Sequence, residues 1–190
     1  MVIIQIGCND CQDQVRDFIF ANEDKIEKLI VIDALQQSIE AAKIIYAPLK
    51  NKFFPVLSAV GLYNGVIPFF YPEDQDCSIH ASTSLEHVAA HNHSKIKIFC
   101  SPLLRLDNVL HSFDIKKVDR LYIDVEGLDV DILLDLSFTD FDIDFIEYEF
   151  CHSDGTFESG QKNQQLKEKL QSLGYELHQS DQYNLTAQKL

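Results

Sequence analysis

Short apolar runs alternate with helical stretches along most of this chain, and that alternation constrains the fold more than any other feature. Residues 2–6 read as a strand, apolar on both faces except at Gln5. Residues 13–21 carry Val15, Phe18 and Ile19 at helical spacing. Residues 29–32 make a second apolar strand, 38–49 a helical stretch offering Ile39, Ala42 and Ile45, and 53–60 a third strand. Strands that are apolar on both faces suit a parallel sheet covered by helices on each side. The order strand, helix, strand, helix, strand predicts an α/β fold of the Rossmann-like, doubly wound type.

The middle of the chain is less regular. Strands are expected over 66–71 and 96–100, and short helices over 84–91, capped by Ser84, and 106–113, started by Asp107. Residues 73–76 read as an acidic loop. The alternation then returns, with a strand over 121–125, a helix over 129–136 and a strand over 143–150. Residues 153–162 read as a loop, and 163–173 as a helix ended by Gly174. Residues 175–178 and 183–188 close the chain as an antiparallel hairpin across Ser180-Asp181. At 190 residues this amounts to one domain over 1–190.

Composition removes several classes of function. The chain has 30 acidic against 16 basic side chains, a net charge of -14. Nucleic acid and anionic membranes attract clustered Lys and Arg, so neither is an expected partner. Apolar runs such as 53–57 and 66–71 fall far below the ~20 residues that span a bilayer. Gln5, Asn9 and Asp10 interrupt the start where a signal peptide would be continuously apolar, so a cytoplasmic location is expected. Five cysteines, Cys8, Cys11, Cys77, Cys100 and Cys151, form no disulfide framework at this length and spacing.

In an open parallel sheet, ligands bind beyond the carboxyl ends of the strands. Gly7, Cys8, Asn9 and Asp10 follow the first strand, Asp33 and Ala34 the second, and Ser58, Ala59 and Val60 end the third. Asp124 and Glu126 follow the fourth major strand, and Glu149, Cys151 and His152 the fifth. Gly7 permits a tight turn and close approach of a ligand. Asp33 stands where a carboxylate would accept ribose hydroxyls. The glycines of G-x-G-x-x-G are missing after Gly7, and no P-loop is present, so the pattern favours a nucleoside cofactor without a pyrophosphate. Net acidity suits a cationic cofactor such as a sulfonium. Asp33 also reads as a cap for the following helix.

These residues resemble those of a known family. Ile6-Gly7-Cys8-Asn9-Asp10-Cys11 resembles the I-G-A-N-x-G motif of the FkbM-type, S-adenosylmethionine-dependent methyltransferases. Ile32-Asp33-Ala34, Ser82-Thr83-Ser84-Leu85 and Leu106-Asp107-Asn108-Val109-Leu110 are similar to later segments of that family. Ile123-Asp124-Val125-Glu126-Gly127 matches its I-D-x-E-G motif, and Leu173-Gly174-Tyr175 with Asn184-Leu185 its end. Cys11 stands where the family has a second glycine and would crowd the methionine end of the cofactor. The N-terminal extension frequent in this class is not expected ahead of the first strand. The resemblance implies S-adenosylmethionine as cofactor, held by Gly7, Cys8, Asn9, Asp10, Asp33, Ala34, Ser58, Ala59, Val60 and Asp124. It implies O-methylation of a sugar or other small-molecule hydroxyl. The expected partner is a small-molecule or glycan acceptor, and a homodimer stays open.

Asp124, Glu126 and His152 are the catalytic candidates, as groups able to orient a hydroxyl or take its proton. Asp124 and Glu126 also read as helix caps, and His152 as a surface loop residue. Asp129, Asp131 and Asp135 read as a solvated helix face. Cys8 and Cys11 form C-x-x-C, but Asn9-Asp10 between them disfavours a redox thiolate. His87, His91 and His93 read as an exposed polar helix face, and no metal is expected because no carboxylate or thiol lies near them in sequence. Two other readings stand beside the methyltransferase: a non-catalytic or degenerate nucleoside-binding interaction domain, and a nucleotide-dependent oxidoreductase. The missing glycines count against the second.

Overall fold

The computed structural model describes residues 1–73, 80–91, 95–155 and 157–190. Cys77, His93 and most of the acidic loop over 73–76 lie outside the described residues. In chain order the elements are β1 (Val2–Ile6), α1 (Gln14–Ala21), β2 (Lys28–Asp33), α2 (Gln36–Ile45), β3 (Phe53–Leu57), β4 (Ala59–Gly61), β5 (Gly65–Pro72), α3 (Leu85–Ala90) and β6 (Ile96–Arg105). There follow α4 (Leu106–Ser112), β7 (Lys117–Val118), β8 (Arg120–Ile123), α5 (Asp129–Asp135), β9 (Asp142–Ile143), β10 (Phe145–Glu149), α6 (Gln161–Ser172), β11 (Tyr175–Gln179) and β12 (Asn184–Lys189).

Among the described residues seven strands form the main sheet, in the order β3-β2-β1-β8-β10-β12-β11. β1 pairs in parallel with β2 on one side and β8 on the other. Strand order therefore reverses beside β1, and the crevice that opens at such a reversal is where α/β proteins bind ligands. Only β12 runs against its neighbours, β10 and β11. The final hairpin turns where the Asp181 carboxylate accepts the N–H groups of Tyr183 and Asn184, at 2.7 and 2.8 Å.

The apolar pattern explains the layers. Side chains alternate across a strand. Ile4, Ile6, Ile30 and Ile32 pack on one face against Val109, Leu110, Val130, Leu133, Leu166 and Leu170. Ile3, Leu29 and Val31 pack on the other against Val15, Ile19, Ala42 and Tyr46. Each such side chain contributes about 1.5–3 kcal/mol by leaving water. Buried Gln5 is satisfied: its amide donates to Asp13 at 3.0 Å, and its carbonyl accepts the Tyr46 hydroxyl at 3.4 Å. Among the described residues no helix is long and apolar enough to cross a membrane.

Three expectations on secondary structure need correction. The strand over 53–60 breaks at Ser58. Its N–H donates to Asp33 O at 2.9 Å, and its single hydroxyl proton lies within reach of Ala59 O at 2.8 Å and Pro102 O at 3.1 Å. The chain thereby leaves the main sheet, and β4 joins β6 in a second, three-stranded sheet. The helical stretch over 38–49 stops at Ile45, ahead of a 3-10 turn (Ala47–Lys52) that contains Pro48. Asp107 does not start α4 by capping it, because its carboxylate is held by the Arg105 guanidinium.

Candidate active site

The loops that follow β1 and β8 press together. Gly7 has φ +75°, and a β-carbon on it would fall 1.7 Å from the Asp124 carbonyl oxygen. Main-chain bonds lock the contact: Gly7 N–H donates to Ile32 O, and Asp124 N–H to Ile6 O, both at 2.9 Å. Asn9 and Cys11 are also left-handed, at φ 45° and 56°. This turn sends the Cys8 and Cys11 side chains into the core beside Val15 and Ile19. Cys8, expected to hold a cofactor, therefore does not line the cleft beyond β1 and β2, and Cys11 does not reach it. Asp10 is also absent from the cleft wall; its carboxylate accepts Gln12 N–H at 3.0 Å.

Asp33, the last residue of β2, ties the region together. One carboxylate oxygen accepts the N–H groups of Cys8 and Asn9, at 2.9 and 3.3 Å. The other accepts Leu35 N–H at 2.8 Å. Burial pushes this carboxyl upward in pKa against the pull of those donors. Asp33 faces a cleft with about 780 Å³ of free space, partly open to solvent. Gly7, Asn9, Ala34, Ser58, Ala59, Val60, Asp124 and Glu126 share its wall. Leu35, Phe69, Ala81 and Thr83 line it too and were not anticipated. Phe69 reaches the cleft from β5 in the second sheet, and no local sequence pattern signals that.

The turn after β8 carries the two acids. Its hidden fastening is Asp129, expected on a solvated face but in fact buried. The Asp129 carboxylate accepts Val125 N–H at 3.3 Å and Gly127 N–H at 3.4 Å. Burial and the charge of Asp124 push its pKa up to about 8. Ser82 fixes the other side by donating its hydroxyl to Glu126 O at 3.1 Å. Asp124 is open to solvent at the cleft, yet it is closely surrounded by protein and by Asp13, Asp33 and Glu147. Those surroundings push its pKa up to about 6.

Through Thr83, Glu126 and Leu128 the cleft meets a second cavity, walled by Ser82, Ser84, His87, Asp131, His152, Asp154 and Lys162. His87 was expected on an exposed helix face; it is 3% exposed. Its Nε2 lies 3.0 Å from Glu126 Oε2, and His152 Nε2 lies 3.8 Å from the same oxygen. The sequence argument against a metal rested on the lack of a nearby carboxylate, and Glu126 removes that basis. His152 Nδ1 accepts Phe157 N–H at 2.9 Å, so its lone pair is occupied there and its proton resides on Nε2. In this arrangement the His152 Nε2 proton faces Glu126 across 3.8 Å. Burial, with the charge of Asp124, pushes Glu126 up to about 8. Burial and the neighbouring imidazoles push His152 down to about 4.

A third cavity lies on the far side of Gly7 and Asp124, with Asp13, Glu147 and Asp181 in its wall. The sequence profile of the methyltransferase FkbM domain matches residues 4–177. The chain belongs to the FkbM methyltransferase family. Its Ile123–Gly127 segment, the I-D-x-E-G motif, is therefore the turn fastened by Asp129 and Ser82. Among solved structures, the FkbM methyltransferase from Methylobacillus flagellatus KT is similar to this FkbM chain, with a TM-score of 0.57 and 12% identity. That match covers 98% of this chain and 43% of the other, so the chain spans less than half of that relative's length. M. capricolum TrmK, solved in complex with its natural cofactor product S-adenosyl-homocysteine, matches at a TM-score of 0.45 and 14% identity, over 100% of this chain and 62% of that one. No curated protein matches the chain significantly. The FkbM chain has a class I methyltransferase-like fold.

Proposed function

We propose that this chain transfers the methyl group of S-adenosylmethionine to a hydroxyl of a small polar acceptor, such as a sugar or a glycan end. One observation carries the reading. The cleft beyond β1, β2 and β8 holds Asp33 and Asp124, and it opens past Glu126 into a second cavity rich in Ser, Thr, His, Asp and Lys. The first space suits a nucleoside with a cationic sulfur, and the second suits a molecule with several hydroxyls.

In this reading Asp33 accepts the ribose hydroxyls with lone pairs left over from its three N–H donors. Leu35, Val60 and Phe69 supply apolar walls for the adenine. Gly7 and Asn9 bring main chain close to the methionine part, and Asp124 stands near the sulfonium. The sulfonium carries its own leaving group, so the protein's task is alignment and exclusion of water. The acceptor oxygen forms a bond to the methyl carbon as the carbon–sulfur bond breaks and its electron pair returns to sulfur. The hydroxyl proton passes to the Glu126 carboxylate and then to solvent. A neighbouring sulfonium favours the ionised form of Glu126 that this step needs.

The oxidoreductase reading lacks the glycines that bring main chain against a pyrophosphate, because no second glycine follows Gly7. Calorimetric titration with S-adenosylmethionine, S-adenosylhomocysteine and NAD tests the cofactor. Radiolabelled methyl transfer to a panel of sugars and other alcohols tests the reaction. Binding of both sulfur nucleosides but not NAD, with label on a hydroxyl, is expected. Binding without transfer to any acceptor would favour the interaction domain.

A further inference from the structure

His87 comes from α3, Glu126 from the turn after β8, and His152 from the turn after β10. Their donor atoms converge at the junction of the cleft and the second cavity. The three atoms lie within 4.8 Å of one another. We propose that His87 Nε2, Glu126 Oε2 and His152 Nε2 bind a divalent transition-metal ion of the zinc class, with an open position facing the second cavity.

Geometry supports this. Zinc bonds of about 2.0–2.1 Å at tetrahedral angles set ligand atoms roughly 3.3 Å apart. The two separations from Glu126 Oε2, 3.0 and 3.8 Å, bracket that value. The ligands are mostly buried, with side chains 3% (His87), 6% (His152) and 19% (Glu126) exposed. Despite its nearness to Glu126, His87 Nε2 is buried and, among the described residues, makes no hydrogen bond of acceptable geometry. Glu149 Oε2 is likewise buried with no hydrogen-bond partner among the described residues, and Glu149 and Cys151 stand within ligand range of His152.

The chemistry of the donors points the same way. A dication keeps carboxylates ionised and takes up imidazole lone pairs. Two imidazoles and one carboxylate are the donor set of several catalytic zinc sites.

Loading carries one structural cost. A metal on His152 Nε2 requires the proton on Nδ1, where Phe157 N–H now donates. That contact must open, which gives a local signature of binding. Ion binding itself is independent of the methyltransferase reading. The ion's role as a Lewis acid that acidifies the acceptor hydroxyl rests on it.

The test uses the full chain, stripped with EDTA and dialysed. ZnCl2 is titrated calorimetrically, and CoCl2 is followed by visible absorption. One equivalent should bind with a Kd of micromolar or tighter, cobalt should show a low-coordinate spectrum, and the Phe157 amide resonance should shift. His87→Ala and Glu126→Gln should each weaken zinc at least about tenfold, whereas exposed His178→Ala should leave it unchanged. Circular dichroism in chelator checks that the variants fold. Absence of binding at 1 mM zinc overturns the proposal, as does binding that resists both variants or leaves Phe157 unmoved. Titration with S-adenosylmethionine in EDTA reports on the cofactor reading alone, so the two fail separately.

Discussion

A β-carbon on Gly7 would sit 1.7 Å from the Asp124 carbonyl oxygen, a backbone atom that cannot swing aside. Gly7 also needs φ +75°. Gly7→Ala should therefore lose about 1–2 kcal/mol to the left-handed backbone and about 1–3 kcal/mol to the forced separation of the two loops. Urea denaturation reads this directly. A variant as stable as the parent would mean that these loops are not in contact in solution.

That contact also shows what a sequence can reveal. The strands β1, β2 and β8 are continuous apolar runs, and their tips carry Gly7, Asp33 and Asp124 in motif order, so the sheet and the cleft floor were legible. What was missed depends on partners distant along the chain. Ser58 diverts its strand because Pro102 offers a carbonyl. His87 is buried because Glu126 and His152 arrive from other elements. Asp129 has the periodicity of a surface acid, and only the folded turn brings two N–H donors to it. Phe69 enters the cleft through pairing of β5 with β6. Local pattern encodes local structure, whereas the second wall of the site is tertiary.

Asp33→Ala leaves the N–H groups of Cys8, Asn9 and Leu35 without their acceptor. It should weaken S-adenosylmethionine by about 10–150-fold, equivalent to the roughly 1.5–3 kcal/mol of a charged hydrogen bond. The thermal midpoint should fall as well, because the same carboxylate holds the loop. Calorimetric titration and a melt, run in parallel, check both. Unchanged cofactor affinity with a lowered melt would assign Asp33 to the loop alone.

The cysteines should sort by access. Cys8 and Cys11 are buried, Cys151 is half-buried and Cys100 is exposed. Burial also pushes the Cys151 thiol upward, and a bond to Cys11 together with burial does the same for Cys8. Thiolate is the reactive form. Among these four, Cys100 should be alkylated first by iodoacetamide at pH 7.5, and Cys8 and Cys11 only after unfolding. Mass mapping of labelled peptides gives the order. Early labelling of Cys8 or Cys11 would reopen the redox reading of C-x-x-C.

Buried carboxyls set a pH dependence of stability in chelator. Burial pushes Glu126 and Asp129 up to about 8 and Glu149 up to about 9. Unfolded, such groups titrate near about 4. Between those values the folded state binds more protons, so stability falls as pH rises. His152, lowered to about 4, works the other way, but only below its ordinary value near about 6.5. The clean window is therefore about pH 6.5–8.5, where the melting temperature should decline. Glu149→Gln should flatten that decline and melt higher than the parent at the alkaline end. A melting temperature that rises with pH across this window would show that the carboxyls are ionised and paired.

Asp124 links the same physics to the cofactor. Its carboxyl is pushed up to about 6 by its enclosed position and by Asp13, Asp33 and Glu147. S-adenosylmethionine carries a positive sulfur, and S-adenosylhomocysteine does not. A cation beside Asp124 favours the ionised carboxylate, so at low pH binding must expel a proton that is already released at neutral pH. Affinity for S-adenosylmethionine should therefore tighten by about tenfold between pH 5 and 7.5, following the ionised fraction of a group near 6. S-adenosylhomocysteine should change by less than about threefold, because it lacks the charge that drives the linkage. Asp124→Asn should abolish the difference while leaving S-adenosylhomocysteine bound. Calorimetry in two buffers of different ionisation enthalpy counts the protons released at each pH. Identical pH profiles for the two ligands would move the sulfonium away from Asp124 and place it elsewhere in the cleft.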